Sequence, residues 1–168
     1  MEAGTRDFSG EPGPNYWQLQ TDFTIEANLN PSNQTIYGEE TILVHNNSQD
    51  DWDNIALRLD HNIFRAFVPR GSSVPAETTP GMVITALKVD GKKVDLGQRP
   101  LSWRERNNGE KKTWVSGLDQ TVAILYLEEP IKAGTKVALD IVWNTKLPGG
   151  ANGRGHRMTQ RWDNTLFQ

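Results

Sequence analysis

Ile131-Lys-Ala-Gly-Thr-Lys-Val-Ala-Leu-Asp-Ile-Val-Trp-Asn-Thr-Lys-Leu-Pro148 is a glycine turn feeding one alternating run. Val137, Leu139, Ile141 and Trp143 share a parity, so in an extended chain all four point to one face, toward a core. Such a strand is stable only beside others, and the rest of the chain supplies them.

Trp17 to Asn28 alternates Leu19, Phe23, Ile25 and Ala27 with Gln20, Asp22, Thr24 and Glu26. Asn30-Pro31-Ser32-Asn33 then gives turn chemistry before a second alternating run, Thr35 to Asn46, so the two predict an antiparallel hairpin. Within the second run Ile36, Gly38, Ile42 and Val44 share a face that Glu40 interrupts. Glu40 marks either a strand end of the core or an exposed edge, and both readings stay open.

Asn54 to Asp60 repeats the period with Ile55, Leu57 and Leu59 inward and Arg58 outward, and Ile63 to Val68 is expected to be a further strand. Pro69 to Gly81 is rich in Pro, Gly, Ser and Thr and reads as a long surface loop. Met82 to Val89 and Lys92 to Leu96 flank Asp90-Gly91, two residues that tolerate the positive φ of a tight hairpin turn. Gln98 to Lys112 is polar and basic around Trp103 and reads as a mobile or partner-facing connection. Thr113 to Val115 is expected to pair weakly, whereas Val122 to Leu127 suits a strand covered on both faces. No apolar period of 3.6 persists for three turns, so helix content is small. The fold class that follows is all-β: an antiparallel β-sandwich of about eight to ten strands with long loops.

The 168 residues suit one such domain. Residues 1–16, with Gly4, Gly10, Pro12, Gly13 and Pro14 among charges, lack the basic start and apolar run of a signal peptide and read as a disordered lead or expression remnant. Residues 17–148 form the sandwich and 149–168 an exit segment, since nothing beyond Pro148 reads as a closing strand; the chain looks cut from something larger. Apolar residues make up 36%, charged residues 23%, and the net charge of −3 gives no reason to expect nucleic acid or an anionic membrane as partner. No apolar run is long enough for a membrane-spanning helix, and the compartment stays open.

Catalytic chemistry finds little purchase. The absence of cysteine excludes disulfides, thiolate zinc sites and a cysteine nucleophile. His45, His61 and His156 are scattered, and no His-Glu-x-x-His places two imidazoles on one helix face, so no metal ligand is assigned. His61 beside Asp60 reads as a surface loop histidine, because strand neighbours point to opposite faces. Ser72, Ser73 and Ser116 have no nucleophile-elbow context. The pairs Glu39-Glu40, Asp50-Asp51 and Glu128-Glu129 read as solvated acids at strand or loop ends, so no catalytic residue is assigned. Asn33-Gln34-Thr35 and Asn46-Asn47-Ser48 match the glycosylation acceptor pattern, which is short enough to arise by chance.

Six tryptophans are many for this length. Trp143 belongs to the core parity, Trp17 starts a strand and Trp162 lies in the exit segment, which leaves Trp52, Trp103 and Trp114 free to form a sugar-stacking platform. A free-standing carbohydrate-binding sandwich is therefore one functional reading, and a self-pairing structural sandwich is another.

A third comes from resemblance. Tyr37-Gly38-Glu39-Glu40-Thr41-Ile42-Leu43-Val44, Ile55-Ala56-Leu57-Arg58-Leu59-Asp60, Ile84 to Val94 with its Val89-Asp90-Gly91-Lys92 hairpin, and Ala133-Gly134-Thr135 leading to Leu147-Pro148 occur in an order. That order resembles the amino-terminal domain of aminopeptidase N-like zinc metallopeptidases, the gluzincins that include leukotriene hydrolase, over about residues 17 to 168. The resemblance implies a saddle-shaped, non-catalytic sandwich beside a thermolysin-like catalytic domain that supplies the zinc, the general base and the exopeptidase motif. It implies no cofactor in this chain, zinc only in that absent domain, and as partners the catalytic domain and a peptide in the shared cleft. It also places one substrate-cleft residue at Gln168, after Leu166-Phe167. Arginine and tryptophan favour interface anchors, so Arg154, Arg157, Arg161 and Trp162 in the exit segment are the expected docking surface.

Overall fold

The computed structural model describes residues 4–69, 78–97 and 99–148. Eight strands carry the described residues: β1 (Gln20–Asn30), β2 (Thr35–His45), β3 (Trp52–Arg58), β4 (Met82–Val89), β5 (Lys92–Lys93), β6 (Trp114–Ser116), β7 (Val122–Ile131) and β8 (Lys136–Lys146). They form two antiparallel sheets, one of five strands in the order β1-β2-β8-β4-β5 and one of three in the order β3-β7-β6. The fold is a β-sandwich, and its only described α-helix, α1 (Trp103–Asn107), lies in the polar connection.

The strand read first from sequence is the middle of the larger sheet. β8 bonds to β2 along a full register from Thr35↔Lys146 to His45↔Lys136, and to β4 on its other side. Its alternation then decides burial: Val137, Leu139 and Ile141 are buried, and they share one cluster with Ala123, Leu125 and Leu127 of β7, Leu57 of β3 and Leu59 just after β3. Leu139 and Leu125 retain no exposed surface. Burying side chains of this size contributes about 1.5–3 kcal/mol each before entropy is set against it.

Two local devices fix the register. Asp90 and Gly91 take φ of 47° and 77°, so the β4–β5 turn is the expected tight one, and the Asp90 carboxylate accepts the Ala138 N–H at 2.9 Å. Gly38 lies opposite Trp143, and a Cβ there would overlap the indole ring, so glycine is what lets Trp143 lie across β2.

Two buried asparagines tie loops to the sheets. Asn62 donates to the Leu118 and Gln120 carbonyls and accepts the Met82 N–H. Asn46 donates to the Asp50 and Ile131 carbonyls at 2.7 and 2.9 Å and accepts from the Ser48 N–H and hydroxyl. With Asn46 wholly buried, the Asn46-Asn47-Ser48 pattern offers no glycan acceptor in the folded chain.

Several expectations are corrected. Ile63 to Val68 is no strand: Asp60–Phe64 winds into a 3-10 turn, with Arg65 N–H bonded to the Asn62 carbonyl, and Phe67 adopts a φ of 66°. Phe64 and Val68, four residues apart, are its buried apolar pair, a spacing that strand parity and a helical turn both satisfy. The second arm of the Asp90-Gly91 hairpin ends at Lys93, short of Leu96, and the Asp95 carboxylate instead takes the Gly97 N–H in a turn. β7 is covered on one face: Ala123, Leu125 and Leu127 are buried while Val122 is exposed. His61 is buried, not a surface residue, and its Nε2–H donates to the Lys146 carbonyl at 3.2 Å. Glu39-Glu40 lies in mid-strand, not at a strand end. The Pro69 to Gly81 loop lies mostly outside the described residues.

Gly38→Ala is expected to lower unfolding stability by about 1–3 kcal/mol, read as a lower urea midpoint at unchanged slope, because the indole must shift. An unchanged midpoint would contradict the placement of Trp143 over β2.

Candidate functional site

The site is the place where the two sheets fail to match. β1 pairs with β2 in the register Thr21↔Val44, Phe23↔Ile42 and Ile25↔Glu40. Cross-strand partners share a face, so Thr21, Phe23 and Ile25 stand on the inner face with the buried Ile42 and Val44. Five strands against three leave β1 beyond the reach of the smaller sheet. Phe23 and Ile25 are consequently 57% and 53% exposed, and Leu19, in the same row, is 64% exposed. The row from Leu19 to Ile25 is about 20 Å long.

An open groove of about 720 Å³ runs along this step. Its floor is Ile42, Val44, Leu139 and Ile141; one wall is Leu19, Thr21 and Phe23, and the other is Asn54 to Leu59. Trp17, just ahead of β1, meets Trp52 at the start of β3, with ring centroids 5.5 Å apart and planes tilted by 47°. The lining is apolar apart from a few groups, which is the usual composition of a binding cleft.

Glu40 is the exception on the floor side. It is half-buried and makes no hydrogen bond or ion pair among the described residues; burial alone pushes its carboxyl above the ordinary range. The alternatives left open by the sequence resolve into a third: Glu40 sits mid-strand on the inner face, where the uncovered step gives it partial access to water. Its signal in the sequence was a charge in phase with Ile42 and Val44.

The other titratable groups do not converge. His45 Nε2 lies 2.8 Å from the Asp22 carboxylate on the outer face, and that contact holds Asp22 below its usual value. Burial pushes the His61 imidazole down, partly offset by its bond to the Lys146 carbonyl. Glu105 is held well below the carboxylate range by the Arg99 guanidinium and by the Ser102 cap of α1. Among the described residues no group of three or more His, Cys, Asp or Glu could hold a metal ion.

The tryptophans are spread apart. Trp52 and Trp114 belong to the opposite edge strands β3 and β6 of the small sheet, Trp114 stacks on Tyr126 with centroids 4.2 Å apart, and Trp103 is exposed on α1. Arg154, Arg157, Arg161, Trp162, His156 and Gln168 lie outside the described residues. No described helix is long and apolar enough to cross a membrane.

No family model matches the chain, and no curated protein matches it. Solved structures do. A variant of the M1 zinc metallopeptidase from Deinococcus radiodurans aligns at 13% identity and a TM-score of 0.46, covering 90% of this chain and 25% of that one. The variant solved with a Tyr-Ser-Ala substrate gives 13% identity, a TM-score of 0.45, and coverage of 89% and 25%. A two-domain M1 zinc metallopeptidase variant bound to L-tryptophan gives 12%, a TM-score of 0.45, and coverage of 94% and 26%. The chain thus spans about a quarter of the length of the structures it matches.

Glu40 also yields a pH prediction. Its folded carboxyl titrates above the unfolded value of 4.5, so the fold favours the neutral form. The penalty is absent below the unfolded value and develops as pH rises through the folded one. Glu40→Gln is therefore expected to raise the urea midpoint at neutral pH and to leave it unchanged near about pH 3, where the carboxyl is protonated in both states. A gain of equal size at both pH values would show that the charge is not the cause.

Proposed function

We propose that this chain is the non-catalytic sandwich domain of a zinc aminopeptidase-like metallopeptidase, docking on a catalytic domain and forming one wall of the peptide cleft. The observation that carries this reading is the ordered set of segments that resemble such domains. Tyr37 to Val44 lies in β2, Ile55 to Arg58 in β3, Ile84 to Val94 spans the β4–β5 hairpin, and Ala133 to Thr135 turns from β7 into β8. Together they supply most of β2 and β4 and all of β5 in the larger sheet, and most of β3 in the smaller one.

The geometry agrees with a scaffold role. A sandwich offers a rigid wall, whereas hydrolysis of a peptide bond requires a preorganised metal or nucleophile with its base. The sequence carries no His-Glu-x-x-His. Zinc and the general base would belong to the companion domain, and Gln168, with Arg154, Arg157, Arg161 and Trp162, would lie toward it.

The test has two arms. The coding frame beyond Gln168 is expected to contain His-Glu-x-x-His followed by a glutamate one or more helical turns later. The purified chain is expected to bind no stoichiometric zinc by elemental analysis and to turn over no aminoacyl anilide. A continuing frame without that motif, or peptidase activity in the isolated chain, would contradict the assignment.

A further inference from the structure

β3 is the outermost strand of the smaller sheet, so among the described residues one of its edges has no strand beside it. The groove wall shows which way that edge points. Six consecutive residues, Asn54 to Leu59, line the groove, and a strand can present both parities at once only along its edge. β1, by contrast, contributes alternate residues, Leu19, Thr21 and Phe23, and so presents its face. The groove therefore combines an open row of backbone donors and acceptors on one wall with an apolar face below.

That combination selects the occupant. An apolar small molecule covers the face but leaves the β3 edge dependent on water, whereas an extended polypeptide satisfies both. A strand added beside β3 would lie one strand spacing out, about 4.8 Å, over the part of the larger sheet that three strands leave bare. Its inward residues would meet Phe23, Ile25 and Ile42. Glu40, a carboxylate with no partner on that floor, calls for a basic side chain among them. Self-pairing of β1 is disfavoured, since its outer face carries Asp22 and Glu26, the latter directly opposite Glu39.

We propose that the open seam between β1 and β3 is a strand-acceptor site, taking an extended polypeptide segment that alternates apolar with polar residues and carries one lysine or arginine toward Glu40. The occupant is a separate polypeptide of that pattern, which goes beyond the scaffold reading.

The probe is a synthetic decapeptide alternating valine with threonine, with one central lysine replacing a valine, titrated into the full 168-residue chain by calorimetry and by NMR. Saturable binding is expected, with amide shifts along Asn54 to Arg58 and side-chain shifts at Phe23 and Ile25. Glu40→Gln is expected to weaken binding at least threefold, and Phe23→Lys, a change at an already exposed position, to abolish it while leaving the thermal midpoint in place. A peptide of the same composition with valines grouped at one end is expected not to bind. Absence of binding at millimolar peptide overturns the proposal. So do equal binding of the grouped peptide, shifts confined to residues outside the seam, or Phe23 already shielded from a soluble nitroxide in the free chain. None of these outcomes bears on whether a zinc-binding motif follows Gln168, so the two readings fail separately.

Discussion

The contact between the inner faces of β8 and β7 is what the remaining structure depends on. Leu139 and Leu125 have no exposed surface, and their neighbours at alternate positions, Val137 and Ile141 on one strand and Ala123 and Leu127 on the other, complete the same cluster. β8 can serve this way because β2 and β4 satisfy its backbone on both sides, which removes the cost of burying unpaired amides. Every other strand is placed relative to this pair. β2 and β4 flank β8 in one layer, β3 and β6 flank β7 in the other, and β1 is left at the rim, with no strand of the smaller sheet stacked on it among the described residues.

The rim position explains why one period has two outcomes. β1 and β8 alternate equally well, yet β8 buries its apolar parity and β1 exposes Phe23 and Ile25. Periodicity reports which side chains share a face, whereas burial depends on what lies across from that face. The number of strands in each layer arises from long-range pairing and leaves no local mark. For that reason the strands themselves were legible, with Met82–Val89 matching its expected limits and the Asp90-Gly91 turn its expected geometry. The open seam was not.

The other departures also come from contacts between residues distant in sequence. Phe64 and Val68 satisfy strand and helical spacing alike, and the 3-10 turn at Asp60–Phe64 is anchored by the Asn62 amide, which donates to the Leu118 and Gln120 carbonyls. Glu40 was visible as a charge in phase with apolar neighbours, but its role required knowing that the covering sheet stops short. His61 lost its surface character because the end of β8 passes over it and takes its Nε2–H. Asn46 looked like a modification signal and proved to be a structural clamp, with all its side-chain hydrogen-bonding capacity used inside the fold.

The architecture is a sandwich of unequal layers, five strands against three among the described residues. Amide hydrogen exchange along the chain tests that architecture most directly. Unequal sheets predict uniformly slow exchange along β8, bonded on both sides, and a slow–fast alternation along β1 and β3, whose outer amides face water. Uniform protection of β1 and β3, or exchange along β8 as fast as in the loops, would contradict it.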